Sequence, residues 1–227
     1  MKFHTACYWR QGENETSLLL QQYACGPVPV FFSCICGGGR ESGKAGSYMS
    51  EQLFRWFREL NLKKLTSRPE RGLENAAYRL RGLIARTDGE LAASKAIAGR
   101  GETAFLGILC VEESFCLFYR GPQRIYLANT CFGRPYIKRL DKADRQTVLE
   151  RGSMQPGLGL LLATETFCER LTEQALRDVM SVKDTDREER LERRLRELGE
   201  ESARRGGKDL AAVFIRTMKE EAEGGEI

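Results

Sequence analysis

Residues 28–60 decide the fold, and they read VPVFFSCICGGGRESGKAGSYMSEQLFRWFREL. The apolar run from Val28 to Ile35 has the length and composition of a buried strand. The glycine-rich segment 36–43 follows it, and a stretch with helical periodicity comes next. Glycine permits the tight backbone reversal that this order requires. The stretch therefore predicts a strand, a glycine turn and a helix packed back onto the sheet, a corner whose bare amides and carbonyls can hold a phosphate or a metal.

The overall composition predicts a globular protein with a real core. The chain has 227 residues, of which 41% are hydrophobic and 30% charged, and its formal net charge is +4. This charge is too weak to indicate a nucleic-acid partner. No apolar segment approaches the roughly 20 residues that span a bilayer, and the N-terminus lacks an apolar signal core. We therefore expect a cytoplasmic protein that binds neither nucleic acid nor membrane.

The cysteine pattern favours buried, reduced thiols over a metal site. There are eight cysteines and a single histidine, His4, and no Cys-x-x-Cys pair occurs. A structural zinc site usually shows closely spaced ligand pairs, so the pattern disfavours one. Five cysteines lie in or beside apolar strand-like runs, namely Cys34, Cys36, Cys110, Cys116 and Cys168.

The remaining chain alternates short strands with a few long helices. Strands are predicted at 3–9, 17–23, 28–35, 103–111, 115–120, 124–128, 134–139, 158–164 and 209–216. Helices are predicted from Ser47 or Ser50, as the cap, to Leu60, at 73–98, after Thr172 and at 186–205, with a linker at 63–72. The short connections favour antiparallel strands. The last helix balances seven acids against seven bases along a thin leucine stripe, so it is predicted to be a solvated helix. These elements predict an α+β fold, an antiparallel β-sandwich flanked by helices.

The order of elements and the glycine corner resemble the PPM-type (type 2C, metal-dependent) serine/threonine protein phosphatases. The best local match is the family's Asp-Gly-x-Gly-Gly segment with the Gly and Ala-Ser that follow it. Gly37, Gly39, Gly43 and Ser47 match, whereas Cys36 replaces the Asp, Arg40 a Gly and Gly46 the Ala.

Other family-like blocks follow in the expected order: Asn14-Glu15-Thr16, Gly101-Glu102-Thr103-Ala104, Gly121-Pro122-Gln123-Arg124, residues 161–166 and Gly207-Lys208-Asp209-Leu210. The resemblance implies a four-layer α-β-β-α domain over 1–218, with a polar tail at 219–227.

The resemblance also implies a chemistry that this sequence only partly supports. The family hydrolyses phosphoesters with two divalent ions, Mg²⁺ or Mn²⁺, held by carboxylates. The family's carboxylate positions fall on Thr16, Cys36, Glu165 and Asp209, so two of the four are replaced. We therefore expect a catalytically silent or severely impaired domain, with no catalytic residue assigned and no certain cofactor. Glu165 and Asp209 would be remnant metal ligands, Gly37 and Gly39 the glycine corner, and Arg10 a candidate phosphate contact.

Three functions are compatible with these residues. The first is a binding or regulatory module in phosphosignalling, which would use the former active-site face for a phosphoprotein, kinase or phosphatase partner. The second is an active phosphatase with an altered metal site. The third is a cysteine chemistry at Cys36, whose thiolate a helix N-terminus would stabilise. Without the family alignment, Glu165 and Asp209 would be ordinary loop carboxylates.

Overall fold

The computed structural model describes residues 2–12, 16–38, 44–94, 103–131, 134–140, 146–181 and 187–218. The strands are β1 Lys2–Arg10, β2 Ser17–Cys25, β3 Val28–Gly38, β4 Thr103–Val111, β5 Ser114–Arg120, β6 Gln123–Cys131, β7 Arg134–Arg139, β8 Val148–Ser153, β9 Gly159–Thr164 and β10 Leu210–Met218. The helices are α1 Ala45–Arg58, α2 Leu62–Ser67, α3 Pro69–Ala93, α4 Glu165–Cys168, α5 Glu173–Val179 and α6 Glu188–Arg204.

The strands form two five-stranded sheets, and this confirms the predicted α+β class. The first sheet has the order β1-β10-β9-β6-β7 and the second the order β2-β3-β4-β5-β8. Every neighbouring pair is antiparallel. An apolar layer lies between the two sheets, and helices cover both outer faces.

Strand β3 shows how the sequence produces these layers. Successive side chains of a strand point to opposite faces. Phe31 and Ile35 therefore enter the layer between the sheets, whereas Phe32 and Cys34 face α1 and α3. The ring of Phe32 stacks on Phe57 of α1 with centroids 4.4 Å apart. The apolar face predicted for this helix is the face that covers the sheet.

The first sheet is covered by α6, whose leucine stripe was predicted from its spacing. Leu191, Leu195 and Leu198 are buried against this sheet. A Cβ on Gly199 would lie 2.5 Å from the ring of Tyr8, so glycine permits the helix to approach β1 closely. Two of the flanking helix residues form an exposed i,i+3 ion pair, Arg194 with Glu197.

Two local predictions are wrong. Helix α1 begins at Ala45 after Lys44 without a side-chain cap, and Ser50 is buried inside the helix, so neither proposed serine caps it. The predicted linker 63–72 contains α2 and the start of α3. Asn61 caps α2 by accepting from the Lys64 amide at 3.0 Å, and Pro69 opens α3, where its missing N–H costs nothing.

Strand β8 and the short helix α4 were not predicted. Helix α3 ends at Ala93, and residues 95–98, which were included in the predicted helix, lie outside the described residues, as does the tail 219–227. None of the helices in the described part of the chain has both the length and the apolar composition of a membrane span.

Candidate functional site at one end of the sandwich

The topology gathers the four predicted metal positions at one end of the two sheets. In the first sheet, Arg10 pairs with Leu210 at the ends of β1 and β10, directly after Asp209. Strand β9 ends at Thr164, directly before Glu165. In the second sheet, Ser17 pairs with Cys36, so Thr16 and the end of β3 are neighbours. Strand register produces this convergence, which the family resemblance had implied.

Cys36 does not face this end. It is fully buried with Cys34 in the apolar layer beneath α1, and burial raises the pKa of its thiol well above the ordinary value. A contact with the Ser50 hydroxyl of α1 opposes this shift of the pKa, but burial outweighs it. Burial therefore disfavours the thiolate that the reactive-cysteine interpretation of Cys36 requires.

The residue of β3 that faces Thr16 is Gly37. A Cβ built on Gly37 would lie 3.3 Å from the Thr16 hydroxyl oxygen. Thr16 is buried, and its carbonyl accepts a hydrogen bond from the Trp9 indole at 2.9 Å. At this point β3 contributes Gly37, which has no side chain, and the loop before β2 contributes the Thr16 hydroxyl. Neither residue supplies a carboxylate. The other predicted corner glycine, Gly39, lies outside the described residues.

Asp209 is buried and engaged by the chain itself. Its Oδ1 accepts the amide of Gly12 at 2.9 Å, which ties the loop after β1 to the start of β10. A Cβ on Gly12 would lie 2.7 Å from the same oxygen, so the contact requires glycine. The backbone of Asp209 has φ +55°, a left-handed conformation that Asp tolerates better than most residues.

A hydroxyl cluster surrounds the Asp209 backbone. The Thr166 hydroxyl donates to the Asp209 carbonyl at 3.2 Å, and the Thr164 hydroxyl accepts the Ala211 amide at 3.2 Å. Together they join the end of β9 to the start of β10. Asp209 is thus part of a hydrogen-bond network that connects the loop after β1 with the strands β9 and β10.

Glu165 forms a close ion pair with Arg124, the last residue of the predicted Gly-x-x-Arg turn. Both side chains are less than one-third exposed. Across the turn between β5 and β6, Arg120 makes a bidentate pair with Asp88 of α3 at 2.7 and 2.8 Å. The Arg120–Asp88 pair was missed by sequence analysis, because 32 residues separate its members.

Arg10 lies on the opposite face of β1 from Trp9. Its guanidinium is 3.9 Å from Glu200 of α6, and its side chain is 58% exposed. Tyr8, on the same face, donates to Glu200 at 3.1 Å, and burial together with this contact raises the pKa of Tyr8. The predicted phosphate contact is therefore directed towards α6 in this structure.

These residues do not fit a pair of divalent cations. Two adjacent cations repel unless several carboxylates offset their charge. Among the described residues, no group of three or more His, Cys, Asp or Glu side chains is arranged to hold a metal ion. Asp209 binds the Gly12 amide, Glu165 binds Arg124, and the β3 position is a glycine.

An open cleft adjoins this end, between the edge strands β1 and β2, and we call it the edge cleft. Its volume is about 680 Å³. Its lining residues are Cys7, Trp9, Gln11, Thr16, Ser17, Leu18, Lys44 and Ser47. Among the described residues, the lining includes one cation, Lys44, and no carboxylate, and Trp9 is half exposed.

Comparison with known proteins identifies the architecture. No model of a known protein family and no curated protein matches the sequence. A bacterial serine phosphatase matches with TM-score 0.69 and 13% identity over 97% of this chain and 99% of that one. The catalytic domain of the serine/threonine phosphatase PstP, in complex with two manganese ions, matches with TM-score 0.66 and 15% identity over 96% and 99%. Stp1 from Staphylococcus aureus matches with TM-score 0.69 and 13% identity over 96% of both chains.

The chain has the PPM-type phosphatase fold. The resemblance inferred from the glycine corner is confirmed at the level of the fold, since the matches extend over nearly the whole of each chain. The PPM-type fold also agrees with the observed four layers of helices and sheets. Parts of the family-like blocks, at 13–15, 39–43 and 101–102, lie outside the described residues.

Proposed function

We propose that this chain is a phosphatase-fold binding module that does not hydrolyse phosphoesters through a two-metal centre. The observation that supports this most strongly is the state of the two remaining carboxylates. Asp209 and Glu165 are bound to groups of the chain, one to an amide and the other to an arginine. A carboxylate that neutralises an internal partner is poorly placed to offset the charge of a cation.

The edge cleft supplies a reason to expect binding at the same end. A phosphorylated side chain carries close to two negative charges and three acceptor oxygens. Lys44 offers one cation, Ser47 one hydroxyl, and the half-exposed ring of Trp9 an apolar surface. The described part of this lining holds no carboxylate that would repel an anion. We infer a phosphoserine- or phosphothreonine-containing segment of a partner protein as the occupant.

Turnover measurements test the catalytic part of the proposal. We expect no aryl phosphate hydrolysis above background in millimolar Mn²⁺ or Mg²⁺ with the wild-type chain. Metal-dependent turnover that Asp209→Ala removes and Tyr78→Ala retains would overturn the proposal and favour an active phosphatase. Tyr78 is a suitable control because its side chain is highly exposed on α3, far from Asp209 in sequence.

Fluorescence measurements test the binding part. The chain has two tryptophans, and Trp9 lines the edge cleft. In a Trp56→Phe variant, a phosphoserine peptide should change the emission of Trp9 saturably, and the unphosphorylated peptide should not. Lys44→Gln should weaken this binding about tenfold, as expected for one charge-assisted contact. Equal binding of the two peptides, or no effect of Lys44→Gln, would contradict the proposal.

A further inference from the structure

A second concave surface lies between α1 and α3, on the outer helical layer. Three residues of α1, the residue that follows its end, and four residues of α3 line it, and each set of four is spaced at i, i+3, i+4 and i+7. They are Gln52, Arg55, Trp56, Glu59, Arg79, Gly82, Leu83 and Arg86. This spacing places each set on one helix face. The groove has a volume of about 380 Å³, within the range of small-ligand sites.

The groove is positively charged. Among the described residues, three arginines and one glutamate line it, which gives a net lining charge of +2. Arg55 is paired with Glu51 at 2.9 Å, and Arg86 lies 4.0 Å from Glu90. Arg79 forms no ion pair with any residue in the described part of the chain.

Two polar groups of α1 in this wall have no hydrogen-bond partner among the described residues. Gln52 is 9% exposed, and its side-chain amide has no hydrogen-bond partner among the described residues. The indole N–H of Trp56 is buried, and no acceptor for it occurs in that same part of the chain. Buried polar groups are normally hydrogen-bonded, so the Trp56 N–H is an exception in this wall. The Gln52 amide, by contrast, is not fully enclosed and can donate to a ligand that carries acceptor oxygens.

Gly82 keeps the opposite wall open. Glycine in the interior of a helix is unfavourable relative to alanine. A Cβ at Gly82 would meet no atom within 4 Å, so close helix packing does not account for the glycine. A longer side chain at this position would extend into the groove.

We propose that the groove between α1 and α3 binds a phosphate group. Arg79 and Arg86 would pair with the oxyanion, and the Gln52 amide would donate a hydrogen bond to it. Arginine suits this role because its planar guanidinium can bind phosphate in a bidentate manner. The phosphate can belong to a free small molecule or to a phosphorylated side chain. This site is separate from the edge cleft, because the two linings share no residue.

Trp56 provides a reporter for this groove. In a Trp9→Phe variant of the full chain it is the only tryptophan. We would titrate pyrophosphate and a phosphoserine peptide separately at constant ionic strength. A saturable change with pyrophosphate indicates a free phosphate ligand, and a change with the peptide alone indicates a phosphorylated side chain; both support the site. No saturable change with either probe overturns it.

A glycine pair on α3 gives a steric test with a matched control. Gly82→Leu should fill the groove and abolish binding, whereas Gly89→Leu should retain it, because a Cβ at Gly89 also meets nothing and Gly89 is not in the lining. Both substitutions raise helix propensity, so neither should unfold α3. Equal affinity of the two variants would overturn the proposal.

Two arginine substitutions, one inside the groove and one outside it, complete the test. A substitution in the edge cleft shows whether the two sites bind independently. Arg79→Gln should weaken binding about tenfold or more. Arg58→Gln removes the same charge from α1 outside the groove and should leave affinity unchanged, as should Lys44→Gln in the edge cleft. Equal weakening by Arg79→Gln and Arg58→Gln would indicate unspecific attraction and contradict the site. The groove is tested through the fluorescence of Trp56. If the peptide failed to change the fluorescence of Trp9 in the edge cleft, the result for the groove would still stand.

Discussion

The middle of the sandwich and its polar end follow different rules. In the middle, side chains are buried in the apolar layer between the sheets, as are Ile108 and Val213, or in the layer between the second sheet and its helices, as is Phe32. At the end, Asp209 and Glu165 are held by hydrogen bonds to Gly12 and Arg124. This difference shows that apolar burial can specify the phosphatase fold. The chemistry at the end of the sandwich depends on a few polar residues, which can be substituted without changing the fold.

The largest effect is expected where the middle is disturbed. Phe32→Ala removes a fully buried ring that stacks on Phe57 and lies near Trp56 and Phe118. The variant should lose about 3–5 kcal/mol of unfolding free energy, because a large cavity remains. Urea denaturation measures this loss. Tyr78→Ala, at an exposed position, should change stability by less than about 0.5 kcal/mol. Similar losses for the two variants would mean that the Phe32 cluster does not hold the second sheet to its helices.

The sequence predicts this middle well because its apolar pattern is strong. Apolar runs indicated most strands, and the 3.6-residue repeat indicated the buried faces of α1, α3 and α6. Strand β8 was missed because it is an edge strand whose side chains are partly buried or exposed, so its residues form no apolar run. The linker at 63–72 was misjudged because Pro69 indicates an interruption, although it also suits the first turn of a helix.

The end was predicted less well, for a physical reason. The same alternation that buries Phe32 and Cys34 beneath α1 also places Cys36 there, and leaves Gly37 facing Thr16. A family alignment does not reveal that direction. Nor does it reveal that Arg124 and Glu165 meet, because the pairing of β6 with β9 brings together residues 41 apart in sequence.

The next largest effect concerns ionisation in the middle. Burial raises the pKa of Cys116 from 9.0 to about 11, although Arg151 and Arg81 oppose the shift. The thiol of the unfolded chain ionises first as the pH rises, so this stability is complete below pH 9 and is lost as the pH approaches 11. The loss should be about 3 kcal/mol. Urea denaturation of wild type and Cys116→Ala gives the unfolding free energy at each pH in this range. The contribution of Cys116 is the difference between the slopes of the two plots of unfolding free energy against pH. Parallel slopes would contradict a raised pKa.

A smaller effect is expected at Asp209. Asp209→Ala leaves the Gly12 amide without its acceptor and places alanine at φ +55°, so we expect a loss of about 1–3 kcal/mol. Asp209→Asn keeps an acceptor and a residue that tolerates this conformation, so it should lose much less. Thermal unfolding with and without Mn²⁺ sharpens the comparison of middle and end. If Asp209 has only a structural role, the unfolding temperatures of wild type and Asp209→Asn should differ by the same amount with and without Mn²⁺. If Asp209 is a metal ligand, Mn²⁺ should stabilise wild type, and Asp209→Asn should reduce that stabilisation.

The smallest effect is expected for the ion pair at Glu165. Glu165→Gln removes its charge but keeps its size, and because the pair is partly exposed we expect a loss of about 1 kcal/mol. A double-mutant cycle with Arg124→Gln measures the coupling directly. If the pair acts as a unit, the double variant should be about as stable as either single variant, since the first substitution already removes the interaction. Additive losses would mean that Glu165 and Arg124 do not interact with each other. In that case the carboxylate is available to an outside ligand, and the end of the sandwich would regain the anionic group that a cation requires.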